Sequence, residues 1–425
     1  MATLGIDFGS SYSTVSWINP KSGKLEAVEF DGVGNVKMPS VMLATKDGFM
    51  YGFQASSHLK GLIGAYEVPY QERMEMMANF ILDLKRKAKP KSTECFFEKD
   101  YSHLELLKLL FHHLIEKSKE HCGSDYVVDR IVFSHPVENP YFPHERVLLI
   151  KKAFHEIGYS NISTMLEPEA AVKGYSLDHQ INEGEGILVF DFGGGTIDVA
   201  YVKKHFGELK IVAQPKGKGN CGGQDIDYLL YEDIRKKIRE QYDFDISQNG
   251  KVIDHIILSK CEELKIDFSE KNEAYETKFY VKGNQIVYRL SRNAFNAIIS
   301  PKVQEAINVA KEVVEEVKNK NYRIDKVLLI GGSSKLTMVK ELLSELVGNT
   351  PIETFGKKDI AVALGCLSDC VPVQQDEIQT PEIEEEEDEF VLNEESAIRE
   401  RSVGVIHRGL SEIQEKYKRS KQLKK

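Results

Sequence analysis

No uninterrupted apolar stretch in the 425 residues approaches the roughly 20 that a membrane-spanning helix needs. The N-terminus has no basic n-region and no apolar signal core, and a strand begins almost at once. The expectation is a cytoplasmic protein without a membrane partner. Cysteine is sparse: Cys95, Cys122, Cys221, Cys261, Cys366 and Cys370 are scattered, with no C-x-x-C pair, so a thiolate metal site is not expected and reduced structural thiols are. An excess of basic charge is also missing. The formal net charge is −10, which speaks against general nucleic-acid binding. It does not oppose a phosphate ligand, because a nest of backbone N–H groups holds phosphate without a basic surface.

What is present is an ordinary globular composition, 41% hydrophobic, in a chain longer than one core usually supports. At least two domains are expected. The chain also repeats itself. L-G-I-D-F-G-S-S runs from Leu4 to Ser11, and L-V-F-D-F-G-G-G-T from Leu188 to Thr196. Each is a short apolar run, then Asp, an aromatic, Gly, and Gly or Ser, the pattern of a buried strand entering a tight turn. A carboxylate at a strand end beside glycines that bare backbone N–H groups suits a metal-bound phosphate. Two copies point to two related lobes gripping one polyphosphate from opposite sides.

The first copy opens an α/β unit, followed by a stretch at 31–103 that mixes short strands with a helical segment around Glu72–Lys89. Residues 104–121 are apolar at helical spacing and predict an amphipathic helix. A strand at Arg130–Ser134 and a helix around Glu145–Ile157 follow, and T-M-L-E-P-E-A-A-V closes the lobe. After the second copy, helices are predicted around Asp225–Gln241 and Lys251–Phe268, strands near Thr277–Leu290, and a helix from about Pro301 to Lys318. The buried strand K-V-L-L-I then ends in Gly331-Gly332-Ser333-Ser334 and opens a helix at about Leu336. The predicted division is lobe I at 1–170 with an insertion at 31–103, lobe II at 171–370 with an insertion at 219–300, an acidic disordered linker at 371–393, and a short helical tail at 394–425. In the linker, seven of the eight residues from Glu382 to Glu389 are acidic, and the last ten residues carry six basic ones.

Five motifs fall in one order: I-D-F-G-S-S, L-E-P-E-A-A-V, F-D-F-G-G-G-T-I-D-V, C-E-E-L-K and V-L-L-I-G-G-S-S-K. This series resembles the ATPase domain of the 70-kDa heat-shock (DnaK-like) chaperones, members of the actin/hexokinase superfamily, over roughly residues 1–370. The resemblance implies an α/β fold of two actin-like (RNase H-like) lobes around a nucleotide cleft, each with an inserted outer subdomain. It implies ATP or ADP with Mg2+ as cofactors, K+ as an additional candidate ion, slow ATP hydrolysis, and lobes that open and close with the nucleotide.

Carried onto this chain, the resemblance makes Asp7, Asp191 and Asp198 the metal carboxylates, acting through bound water because Mg2+ dehydrates reluctantly. Gly9, Ser10 and Ser11 match the first phosphate hairpin, and Gly193, Gly194, Gly195 and Thr196 the second; three successive glycines exceed what a plain hairpin needs. Lys85, Glu167, Asp191 and Thr196 form the implied catalytic set, with Lys85 reaching the terminal phosphate, Glu167 orienting water, and Asp191 or Glu167 accepting its proton. Gly223, Glu262, Lys265, Ser269, Gly331, Gly332, Ser333, Lys335 and Asp359 match the ribose and adenine contacts. Glu262 and Lys265, three apart, share a helix face, where the bland alternative is a surface ion pair. Ile266 stands where some relatives carry a base-stacking arginine.

The departures are Gln224, where the family has Glu, and the segment between Pro136 and Arg146, which reads as two residues longer than the family's proline switch. The 55 residues after the core hold no run of alternating strands, so the family's β-rich peptide-binding domain is not expected. Asp388–Asn393 resembles the family's interdomain linker and suggests a strand docked on the core. The leading reading is a chaperone-like ATPase working with an adenine nucleotide and a co-chaperone or nucleotide-exchange partner. The alternatives are a nucleotide-dependent scaffold with little hydrolysis, a small-molecule kinase of the same superfamily, and a filament-forming relative of actin.

Overall fold

The computed structural model describes residues 2–31, 34–64, 70–123, 125–243, 245–246, 251–270, 273–281, 284–355 and 360–370. Within them the sequence repeat becomes a repeat of topology. Lobe I contains, in chain order, β1 (Ala2–Phe8), β2 (Tyr12–Ile18), β3 (Leu25–Ala27), β4 (Met38–Pro39), β5 (Met42–Thr45), β6 (Gly48–Tyr51), α1 (Gly52–Gly64), α2 (Tyr70–Met77), β7 (Phe80–Ile81), α3 (Leu84–Lys87), β8 (Thr93–Phe96), β9 (Lys99–Ser102), α4 (His103–Cys122), β10 (Val128–His135), α5 (His144–Glu156), β11 (Ile162–Leu166) and α6 (Glu167–Tyr175). Lobe II contains β12 (Gly186–Phe192), β13 (Thr196–His205), β14 (Glu208–Ile211), β15 (Lys216–Gly219), α7 (Gly223–Tyr242), α8 (Lys251–Ser269), β16 (Ala274–Val281), β17 (Asn284–Ser291), α9 (Arg292–Asn319), β18 (Lys326–Ile330), a 3-10 turn at Gly332–Lys335, α10 (Thr337–Val347), β19 (Ile352–Thr354) and α11 (Ala361–Gly365).

The first sheet runs β11-β10-β1-β2-β3, with β4 on the start of β2; the second runs β19-β18-β12-β13-β14, with β15 on the start of β13. In each, the central strand is antiparallel to its hairpin partner and parallel to the strand on its other side. A parallel neighbour needs a crossover, and α4 and α9 supply it in the two halves. The chain therefore forms two actin-like α/β lobes.

Local chemistry sets the long helices. Ser102 and Glu105 form a reciprocal capping box at the start of α4. Leu106, Leu107, Leu110, Phe111, Leu114 and Ile115 then face the lobe I core, where Phe111 stacks on Phe154 at 4.2 Å and meets Phe8 edge-on at 5.0 Å. Two sequence expectations are corrected. The helical segment around Glu72–Lys89 is split: Phe80–Ile81 pair with β5, and Asp83 at φ +56° stops α3 from joining α2. The helix expected from Pro301 starts nine residues earlier, at Arg292, capped by Ser291. An interior proline costs about 3 kcal/mol or more, and burial of Phe295 and Ile299 ahead of it offsets this at roughly 1.5–3 kcal/mol each.

The lobes share a third core, in which Ala170, Val172 and Tyr175 of α6 meet Ile187, Val189, Leu328 and Ala361. There α6 crosses α11 with backbone against backbone. A Cβ on Gly174 would drive into the Ala361 carbonyl, and one on Gly365 into the Ala170 carbonyl. Ser16 Oγ donates to Ala363 O at 2.6 Å, tying α11 to the first sheet. No described helix is long and apolar enough to cross a membrane. The expected linker at 371–393, the tail at 394–425 and the Asp388–Asn393 strand lie outside the described residues.

Candidate functional site

Each central strand ends in the same hairpin. Gly9 N donates to Tyr12 O at 3.0 Å, and Gly193 N donates to Thr196 O at 3.0 Å. Asp7 and Asp191 therefore sit at equivalent places, one residue before the last of β1 and β12. The two hairpins face each other across the lobes: a Cβ built on Gly194 would lie 3.4 Å from Ser11 Oγ. Ser10, Ser11, Gly193 and Gly194 all remain partly or fully exposed at this gap. Gly331, at φ +79°, lets the loop after β18 press against the base of the second hairpin; its Cβ would come within 2.7 Å of Asp191 Oδ1.

Carboxylates gather below the hairpins. Asp191 and Asp198 are 8% and 1% exposed, Glu167 is 7% exposed, and Asp7 is half-buried. A single ammonium joins them: Lys85 Nζ, itself buried, donates to Glu167 Oε1 at 2.6 Å. One cation for four carboxylates leaves a negative excess, which adds to burial in raising the proton affinity of the three aspartates. Burial and the Glu167 charge push Asp7 up to about 6 and Asp198 up to about 7. Burial, Glu167, Asp198 and Asp7 together raise Asp191 well above the usual carboxylate range. Burial alone would lower Lys85, but Glu167, Asp7 and Asp198 outweigh it and hold the ammonium protonated.

Asp198 Oδ1 accepts from Val137 N at 2.8 Å, while its Oδ2 is buried with no hydrogen-bond partner. An orphaned carboxylate oxygen in an over-negative, all-oxygen donor set fits a hard divalent cation. Among the described residues, no three His, Cys, Asp or Glu side chains converge closely enough to ligate one ion directly.

Of the other predicted residues, two meet at the Gly193 carbonyl, which accepts from Gly223 N at 3.0 Å and Ser333 Oγ at 2.9 Å. The first turn of α7 is thereby fixed to the second hairpin, with Gln224 N donating to Gly194 O at 2.8 Å. Lys265 and Glu262 diverge. Lys265 Nζ turns inward to Gly223 O at 3.0 Å and Asp227 Oδ2 at 2.7 Å, whereas Glu262 is exposed, and its charge adds to burial in raising the pKa of Tyr12 on the first hairpin. Ser269 Oγ is bound to Ile266 O within its own helix, and Ile266 stands 51% exposed. Gly332 has open space around it and Lys335 is exposed. Both α1 and α2 of lobe I lie against α8. Asp359 lies outside the described residues.

Four residues of the site carry no mark in the motif reading. Ser134 Oγ donates to Asp7 Oδ1 at 3.2 Å from the neighbouring strand. Asp227 holds Lys265 and keeps its own Oδ1 buried without a partner. Asp83 and Arg86 flank Lys85, and Arg86 crosses to lobe II. The only signal for the last pair is their position in D-L-K-R around Lys85. The segment read as a lengthened switch also reaches the site through the Val137–Asp198 bond, while Arg146 is buried and donates to Ala88 O at 2.9 Å and Tyr141 O at 2.6 Å.

Comparison with known proteins gives one consistent result. Residues 3–392 match the family described as Hsp70 protein. Chaperone protein DnaK of Thermosipho melanesiensis is 25% identical over 368 residues, which is 85% of this chain and 58% of the relative. The DnaK of Thermosipho africanus is 26% identical over the same length, covering 57% of the relative. That of Nitrosopumilus maritimus is 26% identical over 371 residues, covering 55% of it. The chain thus spans less than two thirds of the length of the curated relatives it matches.

Proposed function

The chain belongs to the Hsp70 protein family, and on that premise we propose that it binds one Mg-ATP between its lobes, hydrolyses it slowly, and opens and closes with the nucleotide. The observation that carries this reading is the pair of equivalent hairpins facing each other at Ser11 and Gly194, with the carboxylate cluster beneath them.

In this reading the backbone N–H groups of Ser10, Ser11, Gly194 and Gly195 cradle the phosphates. Asp7, Asp191 and Asp198 hold the hydrated Mg2+, which supplies charge neutralisation at the phosphates when bound. The Lys85 ammonium, kept protonated by its carboxylate neighbours, stabilises charge on the terminal phosphate. Asp191, whose proton affinity burial and its carboxylate neighbours raise, takes the proton of the attacking water in this reading, a role shared with Glu167, whose Oε1 accepts from Lys85. Lys265, fixed by Asp227, and the exposed Glu262 line the nucleoside side, with Ile266 as an apolar platform for the base and Ser333 anchoring the loop beneath it. Gly332, Lys335, Ser269 and Asp359 complete the proposed contacts.

The relatives are named chaperone proteins, which supports a biological role in nucleotide-driven work on other polypeptides, with a co-chaperone or exchange factor as partner. The test is single-turnover hydrolysis of Mg-ATP by the wild type and by Asp191→Ala. Slow turnover that collapses in the variant while ATP still binds supports the proposal. Binding without turnover in the wild type makes the protein a nucleotide-dependent binding protein instead.

A further inference from the structure

The short helix α3 and its N-cap Asp83 send side chains in three directions, and only one of them belongs to the carboxylate cluster. Lys85 turns to Glu167. Asp83, a non-glycine residue at φ +56°, lies beside Ser10 of the first hairpin and pairs with Arg86 Nε at 3.2 Å. Arg86 then leaves lobe I. Its NH1 donates to Gln224 Oε1 at 2.8 Å and its NH2 to Asn220 Oδ1 at 3.0 Å, both in lobe II. On the way the guanidinium lies over the second hairpin: a Cβ on Gly195 would come 2.5 Å from Arg86 Cδ and 2.8 Å from NH1. One arginine therefore spans from the first hairpin's neighbour to the second hairpin and the start of α7.

Its hydrogen-bond partners across the cleft are neutral. The Gln224 and Asn220 amide oxygens accept from a full positive charge, while Asp225 accepts from Gly222 N at 2.9 Å and feels the Arg86 charge without a direct hydrogen bond to it. A terminal phosphate between the hairpins offers Arg86 a doubly charged, bidentate acceptor, which a guanidinium prefers to an amide oxygen. Gln224 and Asn220 then serve as the resting place that Arg86 holds when that phosphate is gone.

We propose that Arg86, positioned by Asp83, discriminates ATP from ADP: it binds the terminal phosphate and so ties the lobes together over ATP, and falls back on Gln224 and Asn220 over ADP. This rests on the nucleotide-binding reading above. The test is calorimetric titration of the full chain with Mg-ATP and Mg-ADP, for wild type, Arg86→Ala and Gln224→Ala. Loss of one hydrogen bond to a charged group corresponds to about tenfold in affinity. Arg86→Ala should therefore lower the ATP-to-ADP affinity ratio about tenfold while ADP binding, which also reports folding, stays within about threefold. Gln224→Ala should leave the ratio unchanged or raise it. Equal loss of both nucleotides in Arg86→Ala, or a ratio that falls in Gln224→Ala as it does in Arg86→Ala, would overturn the assignment and leave nucleotide binding intact. A wild type that binds neither nucleotide would overturn the parent reading itself.

Discussion

Lys85 Nζ and Glu167 Oε1 lie 2.6 Å apart, the only ammonium–carboxylate ion pair among the described residues of a cluster that also holds Asp7, Asp191 and Asp198. Lys85 comes from α3 and Glu167 from the start of α6, the helix whose Ala170 and Val172 lie in the core shared by the lobes. The pair ties α3 to the core shared by the lobes through α6.

Lys85→Ala is expected to lower ATP turnover by about 10²–10³-fold, the usual cost of one preorganised charge-stabilising donor. Nucleotide affinity should change far less. Single-turnover kinetics beside equilibrium binding separates the two; a parallel loss of both would assign Lys85 to binding alone.

The cluster should make metal binding proton-linked. Burial and the Glu167 charge push Asp7 up to about 6 and Asp198 up to about 7, above the ordinary carboxyl value of 3.8. A raised carboxyl contributes stability below the unfolded pKa and loses it as pH rises through the folded pKa. Metal-free protein is therefore penalised increasingly from about pH 4 to about pH 7, and Mg2+ relieves that penalty where the carboxyls are ionised. The rise in melting temperature on adding Mg-ADP should be larger at pH 8 than at pH 6, with proton release on binding. A shift independent of pH would place the metal elsewhere.

Gly174 and Gly365 allow α6 and α11 to touch through their backbones. Gly174→Ala or Gly365→Ala should destabilise by about 1–3 kcal/mol or more, because the intruding Cβ meets backbone that cannot rotate away. Thermal or urea unfolding checks this; unchanged stability would mean the helices part without cost.

Much of this was legible in the sequence, for identifiable reasons. The two D-x-G hairpins were visible because their residues are contiguous and repeated, and the sheets are built around them. The amphipathic spacing of 104–121 gave α4 directly. The segment 72–89 misled because helix-forming residues there are overridden by the pairing of Ile81 with Met42 and by the left-handed backbone at Asp83. The start of α9 misled because Pro301 reads as a boundary, although buried residues before it carry the helix through. Arg86 and Asp227 were missed because their roles depend on partners distant in sequence, Gln224 with Asn220 and Lys265, which no local pattern announces.

Asp227 should matter to the nucleoside side. Asp227→Ala removes the carboxylate that fixes Lys265 and is expected to weaken adenosine nucleotides about tenfold, the scale of one charge-assisted bond. The loss should be shared by ATP and ADP, since Lys265 sits beside Gly223 and away from the Lys85–Glu167 pair. Loss confined to ATP would contradict this placement.

The most direct test of two facing hairpins gripping a single nucleotide is calorimetry of the full chain with Mg-ADP and then with ADP in excess chelator. One nucleotide per chain is expected, with affinity falling sharply when Mg2+ is removed. No heat with either, or binding indifferent to Mg2+, would contradict the account.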